Sequence, residues 1–231
     1  YFVHPTEALE GNVKVPGSKS QTARGLILGT LAKGTTRVQN PMLNLDNYDI
    51  AECCRRLGAT VDTSNDEEWV ITSPGLEGLK VPGAVLDVGN SGTGFYFLTT
   101  LAGMLKGKSI ITGDYQICYR PIAPLLNAMR EMGAKCTSTR DNELMIEGPL
   151  EGGHTVHLNG KNVQWAIGLM VCCPALNGTT TIKFDNLGER PYANLTMDWM
   201  KAAGVYLENH DYEEFVIPGN QQYHPFTKRT A

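Results

Sequence analysis

Lys19 and Arg24 flank the start of an apolar helix, Arg120 precedes a proline, and Asn90, Gly92 and Gln164 sit where polar turns open further helices. These residue types suit an anion. An ammonium is a compact charge, and a guanidinium is a planar fork that matches carboxylate or phosphate. Asn90 adds an amide, Gly92 a bare backbone N–H, and Gln164 a neutral donor and acceptor. In Val15-Pro16-Gly17-Ser18-Lys19-Ser20-Gln21-Thr22-Ala23-Arg24, Val13 and Val15 alternate with polar neighbours as a strand does, and Pro16-Gly17 punctuates. Ser18 or Ser20 can cap the helix that Leu26, Ile27, Leu28 and Leu31 continue. Free N–H groups and a positive dipole end beside Lys19 outline an anion site. An ordinary capped helix with solvated charges fits the same residues. No Ser/His/Asp or Cys/His nucleophile set occurs.

The elements that must position these groups repeat three times. Lys33-Gly34-Thr35-Thr36, Lys106-Gly107-Lys108-Ser109 and Asn177-Gly178-Thr179-Thr180 each end an apolar helix and begin a β-branched strand, about 70 residues apart. A second anchor agrees. Leu57-Gly58-Ala59, Met132-Gly133-Ala134 and Ala203-Gly204-Val205 each close an amphipathic helix with Gly at the left-handed C-cap. Each unit reads strand, helix, strand, helix, strand, turn, strand. The turns are expected at Asn65-Asp66-Glu67, Arg140-Asp141-Asn142 and Asn209-His210-Asp211.

The first helix of each unit, Leu26 to Ala32, Phe95 to Leu105 and Trp165 to Leu176, is apolar nearly all round and belongs inside. The second helices, near Asp49 to Leu57, Ile122 to Met132 and Asn194 to Ala203, carry charge on one side. The expected fold is therefore α/β: three βαβαββ-type repeats around a pseudo-threefold axis, with buried helices and sheets outside. The three buried-helix starts, at Gly17 to Ser20, Gly89 to Thr93 and Gly160 to Gln164, would then gather at one end of that axis.

Composition narrows the partners. The chain has 231 residues, 42% of them hydrophobic, and 20 Lys+Arg against 24 Asp+Glu give a net charge of -4 with no basic run. Nucleic acid is not expected. The apolar stretch Trp165 to Leu176 is too short to span a bilayer, and no signal-peptide pattern opens the chain, so no membrane partner is expected either. Six cysteines form no CxxC and five histidines no HxH or HExxH, so a cytoplasmic protein without a structural metal is expected. The start at Tyr1 suggests an excised piece.

Val15-Pro16-Gly17-Ser18-Lys19-Ser20 with Arg24, Asn90-Ser91-Gly92-Thr93, Arg120-Pro121-Ile122 and Gln164 resemble, in order, the N-terminal half of the 5-enolpyruvylshikimate-3-phosphate (EPSP) synthase family. The resemblance implies one domain of the enolpyruvyl transferase inverse α/β barrel over residues 1–231, with repeats at approximately 12–82, 83–152 and 153–220. Residues 221–231 would be a tail or a truncated crossover to a second domain. The implied reaction is enolpyruvyl transfer from phosphoenolpyruvate to the 5-hydroxyl of shikimate 3-phosphate, with no cofactor. It further implies that Lys19, Asn90, Gly92, Arg120 and Gln164 contact phosphoenolpyruvate, with Lys19 and Arg120 catalytic, and that Ser20, Arg24 and Tyr192 hold the acceptor.

Departures from the family pattern fall mainly on the acceptor side. Asn162-Val163 replace two serines and Glu189 a third, all of which bind the acceptor phosphate in the family. Tyr96-Phe97 replace Arg-Pro and should tilt the helix bearing Gly92, which leans the expectation towards reduced glyphosate sensitivity. No carboxylate stands out as the proton-transfer base. A second domain, a partner chain or a homo-oligomer would then have to cover the site. A non-catalytic phosphoenolpyruvate-binding domain and a transferase with another acceptor remain as alternatives.

Overall fold

The computed structural model describes residue 2, residues 4–138 and residues 143–231. The first unit holds α1 (Lys19–Leu31), β1 (Lys33–Gln39), α2 (Leu45–Arg56), β2 (Thr60–Asp62) and β3 (Glu68–Pro74). The second holds β4 (Leu86–Asp87), α3 (Gly92–Met104), β5 (Gly107–Thr112), α4 (Tyr115–Cys118), α5 (Ala123–Glu131), β6 (Lys135–Ser138) and β7 (Leu144–Gly148). The third holds β8 (Thr155–Leu158), α6 (Val163–Cys172), β9 (Thr180–Phe184), α7 (Arg190–Ala202), β10 (Glu208–His210) and β11 (Glu214–Ile217), and β12 (Thr227–Arg229) follows.

Three four-stranded sheets result, one per unit, in the orders β12-β1-β3-β2, β4-β5-β7-β6 and β10-β11-β9-β8. Inside them, α1, α3 and α6 are buried almost throughout because they are apolar on every side. Fully burying one such large side chain is worth about 1.5–3 kcal/mol, which leaves these helices nowhere else to go. The one-sided helices close the ring. α2 packs on α3, α5 on α6, and α7 back on α1, so each unit's second helix covers the first helix of the next. That cyclic pattern is the expected pseudo-threefold arrangement. Gly58, Gly133 and Gly204 end the one-sided helices at φ of 109, 92 and 78°, where a side chain would be strained.

Local boundaries move for identifiable reasons. α6 stops at Cys172, and Cys173–Ala175 tighten into a 3-10 turn, because Pro174 has no N–H to continue the ladder. The third hairpin turns at residues 211–213, later than expected: Asp211 and Tyr212 take left-handed φ, and the Asn209 side chain accepts from Tyr212 N at 2.9 Å. The expected turn at Arg140-Asp141-Asn142 lies outside the described residues. Among the described residues, five cysteines are free and buried, and no helix is long and apolar enough to cross a membrane.

The first sheet corrects one expectation. Val13 and Val15 form no strand and are 86% and 67% exposed. In the other two sheets the opening strand runs parallel to the strand after the buried helix, β4 beside β5 and β8 beside β9. Here β12 takes that edge, pairing Thr227 to Arg229 with Arg37 to Gln39, so β1 has no free backbone groups for residues 13–15. Residues 221–231 also pack on the rest of the chain. Phe226 meets the Trp199 ring edge-on at 5.9 Å, and the Tyr223 hydroxyl donates to the Val171 carbonyl.

Candidate functional site

The C-terminal segment also fixes the start of α1. Thr230 N donates to Gln39 O at 2.9 Å, its hydroxyl donates to Asn40 O, and Ser18 N donates to that hydroxyl at 3.3 Å. Gly17 lies so close that a Cβ there would fall 1.9 Å from Asn40 O and 2.7 Å from the Thr230 hydroxyl oxygen. Ser18 is the N-cap, accepting from Gln21 N. Lys19 therefore projects from a fixed helix end.

The other two buried helices begin similarly. Ser91 caps α3 by accepting from Gly94 N at 3.1 Å, and Asn162 caps α6 by accepting from Gln164 N at 2.9 Å. All three starts meet. Lys19, Gly92 and Gln164, one from each start, line a single cavity of about 660 Å³. Three helix N-termini add partial positive charge there, and Arg120 and Lys161 add full charges on the wall. Asn90 and Tyr192 also line it.

Arg120 lies between α4 and α5, and its N–H donates to Ile117 O at 2.9 Å. The loop is tied back to the α3 turn, since Asp114 N donates to Gly89 O at 2.8 Å. The Arg120 guanidinium packs over Gly92, where a Cβ would fall 2.7 Å from Nη1 and 2.8 Å from Cζ. Asn90 Nδ2 donates to Gln116 Oε1 at 3.1 Å. Gln164 Oε1 is buried without a hydrogen-bond partner among the described residues.

Two residues expected to hold the acceptor do not line this cavity. Arg24 is fully buried behind the cavity, where Nε donates to Thr196 Oγ1 at 2.9 Å, Nη1 to Ser20 O at 2.7 Å and Nη2 to Tyr192 O at 3.4 Å. Phe97 faces the guanidinium carbon at 5.6 Å. Burial pushes the guanidinium pKa down to about 10. Arg24 thus joins α1 to α7 and holds the Tyr192 backbone, and neither it nor Ser20 lines the cavity. Val163 is core, and Asn162 and Glu189 are on the wall.

Other lining and supporting groups were not singled out from the sequence. Asp46, in the first turn of α2, pairs with Lys19 Nζ at 2.8 Å. Asp49, one turn on, has its carboxyl pKa raised, first by burial and then by Asp87 and Asp46. Trp165 and Pro121 line the wall beside Tyr96. A carboxylate in the first turn of α2 is ordinary helix chemistry, so nothing local marks Asp46 as the partner of a lysine on another helix.

The family model for EPSP synthase (3-phosphoshikimate 1-carboxyvinyltransferase) matches residues 3–229. The chain belongs to the EPSP synthase family. It is 38% identical over 221 residues to a 3-phosphoshikimate 1-carboxyvinyltransferase of Ruminiclostridium cellulolyticum, covering 94% of this chain and 52% of that protein. It is 33% identical over 231 residues to the Methanocaldococcus jannaschii protein of the same name, covering 97% and 53%. The chain therefore spans about half the length of the relatives it matches. The fold is shared with EPSP synthase from Acinetobacter baumannii, at a TM-score of 0.86 and 24% identity over 95% of this chain and 50% of that one.

Proposed function

We propose that this chain supplies the phosphoenolpyruvate-binding half of an enolpyruvyl transferase acting on shikimate 3-phosphate. The observation that carries this reading is the convergence of Lys19, Asn90, Gly92, Arg120 and Gln164, drawn from three repeats, on one cavity in a chain of this family. Lys19 and Arg120 supply the charge that phosphate and carboxylate require. Gly92 leaves the backbone bare beside them.

In the proposed reaction the acceptor hydroxyl gives its proton to a base as its oxygen bonds to C2 of phosphoenolpyruvate, while C3 takes a proton and the C2–C3 double bond becomes single. C3 then loses a proton, the C2–O bond to phosphate breaks, and phosphate leaves. Charge that builds on the phosphate is met by Lys19 and Arg120 from fixed positions, so little reorganisation is needed. The wall holds one carboxylate, Glu189, on the acceptor side. The remaining proton-transfer groups, and closure against water, are assigned to a second domain, partner chain or second copy. Residues 1–231 act as a single domain, and Tyr192, held from behind by Arg24, meets the acceptor.

The experiment is titration calorimetry of the chain with phosphoenolpyruvate, beside a phosphate-release assay with shikimate 3-phosphate, for the wild type and Lys19→Met. Losing one charged contact should weaken binding by about tenfold or more. Equal affinity in the two proteins would sink the reading. Lys19-dependent binding without turnover favours the non-catalytic module. One observation favours another acceptor: Glu189 sits at the cavity wall at a left-handed φ of 49° with no capping hydrogen bond, and a carboxylate there repels a phosphate.

A further inference from the structure

Arg120 sits on an exposed connection, yet its guanidinium is pressed against one bare backbone position, Gly92. The hold on this loop comes from the next residue. The Pro121 carbonyl accepts from Trp165 Nε1 at 2.9 Å and from the Tyr96 hydroxyl at 3.2 Å. A carbonyl oxygen has two lone pairs, so two side-chain donors saturate it. Asn162 Nδ2 donates in turn to the Tyr96 oxygen at 3.4 Å, which completes a chain from the α6 cap to the loop.

The donors come from different buried helices, Tyr96 from α3 and Trp165 from α6, with 1% and 5% of each residue exposed. Their rings are therefore fixed by the core, and both aim at one peptide group at the cavity wall. Packing alone does not require this. Phenylalanine at position 96 would fill much the same volume without a donor, so the Tyr96 hydroxyl serves the Pro121 carbonyl rather than the packing. Pro121 itself has a fixed φ, so holding its carbonyl also sets the direction in which the chain leaves Arg120.

We propose that Tyr96 and Trp165 are positioning residues for Arg120, forming a two-donor latch on the Pro121 carbonyl that keeps the guanidinium over Gly92 in line with the ligand phosphate or carboxylate. The latch rests on the reading that Arg120 meets phosphoenolpyruvate. An arginine whose backbone is held in place before binding has less of the loop left to order when the anion arrives. Burial raises the Tyr96 pKa above the usual phenol value, so its donor persists at mildly alkaline pH.

The test titrates the 231-residue chain with phosphoenolpyruvate in a double-mutant cycle of Tyr96→Phe and Arg120→Met. Tyr96→Phe should weaken binding by about three- to tenfold in the wild-type background and leave the melting temperature nearly unchanged. The same change should have no effect in the Arg120→Met background, whereas a general loosening of the fold would weaken both. The loss should be the same at pH 7 and pH 9. Trp165→Phe is measured in the same cycle and carries the test if Tyr96→Phe fails to fold; the cavity left by its smaller ring should weaken both backgrounds alike, so only the part of its effect that vanishes with Arg120→Met counts for the latch. Equal affinity of wild type and Arg120→Met overturns the phosphoenolpyruvate reading and the latch with it. A weak Arg120→Met protein beside an unimpaired Tyr96→Phe, or an effect that persists without Arg120, overturns the latch alone.

Discussion

Replacing Gly92 by Ala separates binding from folding, because the three atoms nearest the added methyl all belong to one side-chain end. Its Cβ would stand 2.7 Å from Arg120 Nη1, 2.8 Å from Cζ and 3.1 Å from Nε, and those atoms must withdraw by about 0.7 Å to reach ordinary contact. The latch on Pro121 holds the Arg120 backbone, while the guanidinium is the far end of an exposed side chain, so it can yield. At a helical position Ala is also favoured over Gly by up to about 1 kcal/mol, so the melting temperature should hold or rise slightly. Binding is expected to suffer. A hydrogen bond to a charged group contributes about 1.5–3 kcal/mol, and losing one corresponds to roughly ten- to a hundredfold weaker phosphoenolpyruvate binding. Calorimetric titration with parallel thermal melts reads both quantities. A Gly92→Ala protein that binds phosphoenolpyruvate as tightly as the wild type would refute the placement of the ligand against Arg120. One that fails to fold would refute the claim that Arg120 yields.

Two further outcomes follow from individual carboxylates. The Asp49 carboxyl is raised by burial and by Asp87 and Asp46, so its ionised form is disfavoured in the folded state. Asp49→Asn should therefore melt higher than wild type at pH 7, with the advantage vanishing as pH falls through the raised carboxyl range; an equal or lower melting temperature at pH 7 contradicts this. Glu189→Ser should tighten binding of shikimate 3-phosphate by about five- to tenfold at low salt, and less at high salt, as expected for removing a nearby like charge. Unchanged affinity would show that Glu189 points away from the acceptor.

The surroundings of Arg24 illustrate where local sequence stops. The motif around Lys19 is intact, but Arg24 faces Thr196 and the Tyr192 backbone on α7, far along the chain. Only the packing of α7 on α1 makes those partners available. Lys19 meets Asp46 for the same kind of reason. The polar Thr227-Lys228-Arg229 run gives little strand signal by itself, because its strand character comes from the free edge of β1.

Periodicity and punctuation were enough to establish three units, their buried and one-sided helices, the glycine caps at Gly58, Gly133 and Gly204, and the gathering of three helix starts. These features depend on residues near one another in the chain, where side-chain type and backbone preference act directly. Tertiary structure alone decided that β12 takes the edge beside β1, that Arg24 is enclosed, and that Tyr96 and Trp165 converge on the Pro121 carbonyl. Each of these joins residues far apart in the chain, and such a contact forms only after the helices have packed and set the distance between them.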